Sequence, residues 1–236
     1  GLIVLEGDKK AGIDSLTKKI KKIIPIAYSF SKAHGKIILV KAPDLIPKEI
    51  LNWKNFKKAK KNSEGFFTIP GIFSPNKIDS GSKLLTESFV NKLSGRIADL
   101  GSGWGYLSSK ALEKNPDINE IVLFEHDLRA VEASKENIKD PRAIFKWTDL
   151  SSEVKVEPKV DHVICNPPFH SGVKKDTDLG VSFLETAAKI LKPNGKLWLV
   201  ANLKLPYEKT LKKLFKQQII LKQTNLFKIM LIQKPK

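Results

Sequence analysis

Val163-Ile164-Cys165-Asn166-Pro167-Pro168-Phe169-His170 reads as a buried strand that stops abruptly at its carboxyl end. Three apolar residues run straight into Asn-Pro-Pro-aromatic. Consecutive prolines cannot donate to a strand ladder, and their fixed φ sends the backbone out along an extended exit. In an open α/β sheet, ligands bind just outside the carboxyl ends of the strands. Asn166 and Phe169 are therefore delivered to the place where a site would lie. The competing reading is a rigid loop with an aromatic plug, and the flanking sequence has to decide.

Outward from this strand the pattern alternates. Strands are expected at Arg96–Leu100, Glu120–Phe124, Ala143–Trp147, Val160–Cys165 and Lys196–Ala201, with helices near 104–114, 128–139, 178–191 and 207–216. Each helix joins consecutive strands, the signature of a parallel sheet covered on both faces. Leu191-Lys192-Pro193-Asn194-Gly195 ends a helix and turns into a strand. The tail breaks the alternation: Gln218–Gln223 and Phe227–Gln233 flank Thr224-Asn225-Leu226, so an antiparallel hairpin should close one edge.

Asp99-Leu100-Gly101-Ser102-Gly103-Trp104-Gly105 follows the first strand of this domain and opens its first helix. Glycines let the chain turn tightly and approach a ligand without a Cβ in the way. The spacing is Gly-x-Gly-x-Gly with Asp99 two residues ahead, and not the dinucleotide Gly-x-Gly-x-x-Gly. A carboxylate so near the loop would repel a pyrophosphate but suits a cationic amino-acid moiety. S-adenosylmethionine, with its ammonium and sulfonium, fits Asp99, Gly101, Ser102 and Gly103 better than NAD does. The second strand ends in Glu125-His126-Asp127. Glu125 lies twenty residues past Gly105, where an acid would accept from both ribose hydroxyls. Asp127 competes for that role but is placed to cap the next helix, and His126 reads as structural. At the third strand's end, Asp149 could accept from the adenine amino group, with Trp147 or Thr148 flanking the ring. Asp149 closing a turn is the alternative.

Upstream, Gly65–Ile69 looks like a strand, Pro70-Gly71 a turn and Ile72-Phe73-Ser74 a short return. Ser82 is a plausible N-cap for a helix whose apolar face is Leu84, Leu85, Phe89 and Leu93, packing beside the first strand of the domain. Residues 43–64 read as a linker with a basic cluster. Residues 1–42 read as strand Leu2–Leu5, an amphipathic helix ended by Pro25 with Asp14 or Ser15 as N-cap, and a hairpin of Ile26–Lys32 and Lys36–Lys41 around Ala33-His34-Gly35. That is too little for an independent domain. The chain opens on Gly1 with a strand already in progress, as a piece of a longer protein would.

The 236 residues, 41% of them hydrophobic, suffice for one α/β domain and an appendage. No uninterrupted apolar run reaches the length of a membrane span, and no signal-peptide pattern opens the chain. A single cysteine, Cys165, excludes a disulfide framework and any cysteine-based zinc site, and it suits a reducing cytoplasm. The formal charge of +17 invites a polyanionic partner, although only three of the 42 basic residues are arginines, a skew that genome composition also produces.

With the glycine loop, Glu125 and Asn-Pro-Pro-Phe at the ends of strands one, two and four, the chain resembles class I S-adenosylmethionine-dependent methyltransferases. More narrowly, it resembles the bacterial guanine-N2 methyltransferases of small-subunit ribosomal RNA. The resemblance rests on Pro70-Gly71-Ile72-Phe73-Ser74, on Asp79-x-Gly81-Ser82-x-Leu84-Leu85 and on the glycine loop. It continues through Ala130–Ser134, Asn166–His170, Ala201-Asn202, Leu205-Pro206-Tyr207 and Thr224-x-x-Phe227-Lys228, over roughly residues 65–236. It implies a Rossmann-like, mostly parallel seven-stranded sheet with an antiparallel C-terminal hairpin. Members carry two such domains, the first degenerate, and residues 1–42 resemble the closing part of that first domain.

The same resemblance implies a mechanism. The Asn166 side-chain oxygen and the Pro167 carbonyl would accept from the target amine, and Phe169 would stack on the unstacked base. Phe73 and Ser82 would line the mouth; His170, Lys204, Tyr207 and Lys228 are candidates for RNA contacts. No metal, covalent intermediate or membrane is required, and the partner expected is ribosomal RNA or the small ribosomal subunit. Transfer to another planar amine (a large-subunit guanine, adenine N6 or a protein glutamine) uses the same Asn-Pro-Pro-aromatic chemistry. An inactive RNA-binding scaffold is the alternative of another class, and the intact Asp99, Gly101, Gly103, Glu125 and Asn166 argue against it.

Overall fold

The computed structural model describes every residue except 54–58, 152–153, 155, 169–173 and 204–206, and the side chains of 174–177. The chain forms two units, residues 1–58 and 59–236.

The first unit contains β1 (Leu2–Asp8), α1 (Ile13–Lys21), β2 (Ile26–Lys32), β3 (Gly35–Lys41) and α2 (Lys48–Trp53). Its sheet is antiparallel in the order β1-β3-β2. The expected hairpin forms, with Ala33 at its tip in the left-handed region, φ 51°. Ile20, Ile24, Ile38 and Val40 make a small core against which Ile50 and Trp53 pack. Those last two residues draw α2 into this unit, so the expected linker of residues 43–64 is divided between the two units. The helix cap also differs from expectation: Gly12, in the left-handed conformation, precedes α1. Asp14 lies inside the first turn, where Lys36 of β3 reaches it at 2.8 Å.

The second unit begins with a two-residue ladder, β4 (Lys60–Lys61) on β5 (Phe67–Thr68). The expected return strand at Ile72–Ser74 does not form. Gly71, at φ 92°, turns the chain there, and Ile72 is buried. Next come α3 (Ser80–Ser88), β6 (Gly95–Leu100), α4 (Tyr106–Lys114), β7 (Ile118–Glu125), α5 (Leu128–Asn137) and β8 (Ala143–Trp147). The chain closes with β9 (Val160–Cys165), α6 (Lys174–Ile190), β10 (Leu191–Asn202), α7 (Tyr207–Leu214), β11 (Phe215–Gln223) and β12 (Phe227–Pro235). The sheet order is β11-β12-β10-β9-β6-β7-β8, with β6 to β10 mutually parallel and β11 and β12 antiparallel at one edge. This is the class I methyltransferase arrangement. Among the described residues no helix is long and apolar enough to cross a membrane.

Side chains alternate across a strand, so one sheet feeds two cores. Ile97, Ile164, Trp198 and Val200 face one way, against Leu85 and Phe89 of the α3 segment and Leu107 and Ala111 of α4. Ala98, Leu100, Val163, Cys165 and Leu199 face the other, against Phe183, Leu184 and Ala187 of α6 and Leu211 of α7. Burial on both faces explains the consecutive apolar residues at Val163–Cys165 and Leu197–Ala201. Chain order reverses between β6 and β9, the centre of the sheet, and at such a switch point two neighbouring loops diverge to leave a crevice.

Candidate active site

Two loops leave the switch point, one after β6 and one after β9. The first is Gly101–Gly105. The amides of Gly101 and Ser102 both donate to the Phe124 carbonyl at the end of β7, at 2.9 and 3.0 Å, which pins the turn to the next strand. Gly101 sits at φ 71°, and a Cβ there would come within 2.7 Å of the Phe183 ring. Both its conformation and its close approach require glycine. Gly103, at φ 54°, has nothing within 4 Å of where a Cβ would sit, so bare backbone faces open space.

Glu125, at the tip of β7, is buried and holds this loop in shape. One carboxylate oxygen accepts from the Gly103 amide at 2.8 Å; the other accepts from the Asp127 amide at 2.8 Å and faces Nδ1 of His126 at 2.9 Å. Asp127 caps α5 as expected, accepting from the Arg129 amide and pairing with its guanidinium at 2.6 Å. That guanidinium and its hydrogen bonds hold the Asp127 carboxyl below its ordinary pKa.

Asn166 leaves the end of β9 on the other side of the crevice. Its amide nitrogen donates to Oδ2 of Asp79 at 3.0 Å and to Oγ of Ser82 at 2.8 Å. Asp79 is also the N-cap of α3, its Oδ2 accepting from the Ser82 amide at 2.8 Å. The cap is thus Asp79 where Ser82 was expected. The aspartate precedes the helix in extended backbone, whereas Ser82 already lies within the first turn.

These residues enclose one cleft of about 240 Å³, lined by Phe73, Asp79, Ser82, Gly101, Ser102, Gly103, Glu125, Asn166 and Pro167 among others. Phe73, 59% exposed, stands at its mouth. Among the described lining residues the charged side chains are Asp79, Glu125 and Asp127, with no lysine or arginine, in a chain of net charge +17. The buried hydroxyl of Ser102 has no hydrogen-bond partner among the described residues. Carboxylates, open backbone and an unmet hydroxyl form a donor set that fits a cationic, polar ligand and repels an anionic one.

The remaining expected residues are placed elsewhere. Asp99 is fully buried beneath the glycine loop and does not line the cleft; Oδ2 accepts from Ser108 at 2.6 Å, and Oδ1 has no partner among the described residues. Burial, with the Glu125 charge adding to it, pushes its pKa up to about 7. Thr148 and Asp149 line a shallow depression with Trp147 that adjoins the cleft through His126. There Asp149 accepts from the amide and hydroxyl of Ser151, both at 2.8 Å, closing a turn. Tyr207, expected to contact RNA, is 2% exposed and belongs to the core, because Gly180 of α6 leaves a notch that its phenol fills. Lys228 pairs with Glu208 at 2.8 Å. Phe169, His170 and Lys204 lie outside the described residues.

Three supporting residues escaped the sequence reading. Trp104 donates its indole N–H to the Phe73 carbonyl at 3.0 Å, tying the mouth to the glycine loop. Asn137 accepts from the Phe67 amide at 2.7 Å and donates to the carbonyls of Phe67 and Trp104, at 2.9 and 2.8 Å. Nothing local marks either contact, since the partners are far apart in sequence. Asp79 was legible in part: an aspartate three residues before a serine at a helix start is a capping signal.

Comparison with known proteins gives this site a context. The family model for the methyltransferase small domain matches residues 62–231. Ribosomal RNA small subunit methyltransferase C of Hahella chejuensis is 32% identical over 209 residues, covering 87% of this chain and 61% of that protein. The protein of the same name from Photorhabdus laumondii is 30% identical over 227 residues, covering 96% and 66%. This chain therefore spans less than two thirds of either relative. A solved structure of the T. thermophilus 16S rRNA N2 G1207 methyltransferase (RsmC), in complex with AdoMet and guanosine, superimposes with a TM-score of 0.77 at 25% identity. The match covers 99% of this chain and 65% of that one.

Proposed function

This chain belongs to the methyltransferase small domain family, and we propose that it methylates the exocyclic N2 amine of a guanine in small-subunit ribosomal RNA, with S-adenosylmethionine as methyl donor. The observation that carries this reading is Asn166, anchored by its amide nitrogen and set in the same cleft as the glycine loop and Glu125. The relatives' names and the guanosine complex of the similar structure support the choice of base.

S-adenosylmethionine, when bound, supplies an electrophilic methyl on a sulfonium. The glycine loop and Ser102 would hold it on one side and Glu125 would accept from its ribose hydroxyls, with Thr148 and Asp149 in the adjoining depression toward the adenine. The target amine is a poor nucleophile because its lone pair is delocalised into the ring. Both hydrogens of the Asn166 amide are already engaged, so its oxygen is the end left to accept from that amine. The Pro167 carbonyl offers a second acceptor. Together they would favour a pyramidal nitrogen with its lone pair aimed at the methyl, and orientation of this kind accounts for most of the rate. Asn166 is no base, so the proton leaves the methylated amine for solvent. Phe73 at the mouth offers a ring face to a base drawn out of its stack, and Phe169 is assigned the same role through the family resemblance. A ribosomal RNA substrate sets the reaction in the cytoplasm.

Labelled cofactor, incubated in turn with small subunits, large subunits, naked RNA and DNA, tests the assignment once the modified nucleotide is mapped. The expected product is N2-methylguanine in small-subunit RNA, with the single-turnover rate of Asn166→Ala reduced on the order of 10²-fold. Methylation of DNA adenine or of a protein glutamine, without guanine, would overturn it.

A further inference from the structure

We infer that Asp79 is a positioning residue: it dictates which end of the Asn166 amide faces the cleft, and it polarises that end. The inference rests on the functional reading above and deepens it: that reading uses the anchored amide of Asn166 but gives the Asp79 carboxylate no role of its own in selecting or polarising the end that faces the cleft.

A side-chain amide has two ends of nearly equal shape and opposite chemistry, and its environment must select between them. Here one environment atom is unambiguous. Asp79 Oδ2 lies 3.0 Å from the amide nitrogen of Asn166. A carboxylate oxygen only accepts, so the opposite orientation would set two acceptors against one another with no proton between them. Ser82 Oγ, at 2.8 Å, cannot enforce this choice, because a hydroxyl donates as readily as it accepts. The carboxylate is itself immobilised: the same Oδ2 takes the Ser82 amide at 2.8 Å and so caps α3. That helix segment is bolted to the sheet by the fully buried Leu85 and Phe89. A negative charge at the NH₂ end also draws the amide toward its charge-separated form, leaving more negative charge on Oδ1, the atom left to hold the amine. Helix cap and amide orientation are one device.

Its test separates capping from positioning. Asp, Asn and Ser cap helices about equally well. Asp79→Ser keeps a cap but withdraws the oxygen from Asn166, while Asp79→Asn retains an oxygen able to accept from both the Ser82 and Asn166 amides. The expected single-turnover rate is about tenfold lower for Asp79→Ser, with most of the loss recovered in Asp79→Asn and the melting temperatures of all three proteins close together. Nitrogen-resolved NMR of the Asn166 carboxamide reads the contact without substrate. Its two protons should shift and exchange faster in Asp79→Ser, whereas Ser82→Ala, which leaves the cap intact, should move only one of them. An unchanged carboxamide signal in Asp79→Ser, or a wild-type rate for it on an RNA that the wild type methylates, overturns the inference. A perturbed carboxamide in a protein that methylates no guanine would leave the positioning role standing and count against the substrate assignment alone.

Discussion

Asp99 carries a carboxyl group into the centre of the second unit, where, among the described residues, only Ser108 hydrogen-bonds to it. Desolvation disfavours the charged form and raises the pKa from an ordinary 3.8 to about 7. Between those two values the folded protein holds a proton that the unfolded chain has released. Stability therefore falls as pH rises through that window and is level above it. Asp99→Asn has no proton to lose. Thermal melts across pH should show the wild type losing ground to this variant from about pH 4 to about pH 7 and holding a constant difference beyond; parallel curves would show that the carboxyl titrates normally. Tyr207 gives the complementary lesson. The family resemblance makes Tyr207 a candidate RNA contact, but whether its hydroxyl meets solvent depends on Gly180, twenty-seven residues earlier in the chain. The residue type is local information, and the notch is not.

Elements were the most legible level, with limits of their own. The strands at Ala143–Trp147 and Val160–Cys165 match the expected bounds: β9 ends where Asn166 and two prolines stop the ladder, and β8, a half-exposed edge strand, follows Pro141 and ends at the Thr148-Asp149 turn. Helix starts were harder to read. Asp14 and Ser15 stood as candidates for one cap and Ser82 for another; a single backbone dihedral at Gly12 and at Asp79 settled each. The strand expected at Gly65–Ile69 shrinks to Phe67–Thr68, since Gly65 at φ 83° closes a turn with Asn62 ahead of it, and the backbone of Phe67 is held in addition by Asn137. This residue ends α5 and binds β5 and the glycine loop together through three hydrogen bonds. Asn137→Ala should lower stability by about 2–3 kcal/mol in urea titrations, from three bonds of about 1 kcal/mol each. Calorimetry should also show weaker cofactor binding, since the Trp104 carbonyl loses its anchor. A loss of stability with unchanged cofactor affinity would confine Asn137 to the scaffold.

Across the whole molecule, charge is unevenly placed. The described lining of the cleft is acidic, while the chain as a whole is strongly basic. If the lysines engage an RNA backbone and the carboxylates face the methyl donor, the two affinities respond oppositely to salt. Raising salt from about 50 to about 200 mM should weaken RNA binding by at least tenfold through counterion release and leave cofactor affinity nearly unchanged. Equal insensitivity of both would assign the lysine excess to composition alone.

The order of strands and helices, the glycine turn after β6 and the arrest of β9 at Asn166 were determined by the sequence itself. Each follows from forces acting over a few residues: side-chain period, proline's missing N–H and glycine's freedom at positive φ. Tertiary structure alone decided that Asp79 and Ser82 would grip Asn166, that Asp99 would be buried beneath the loop, and that Trp104 and Asn137 would fasten the mouth. Those contacts join residues up to 87 positions apart, and they exist only because the sheet brings the ends of β6, β7 and β9 to one edge.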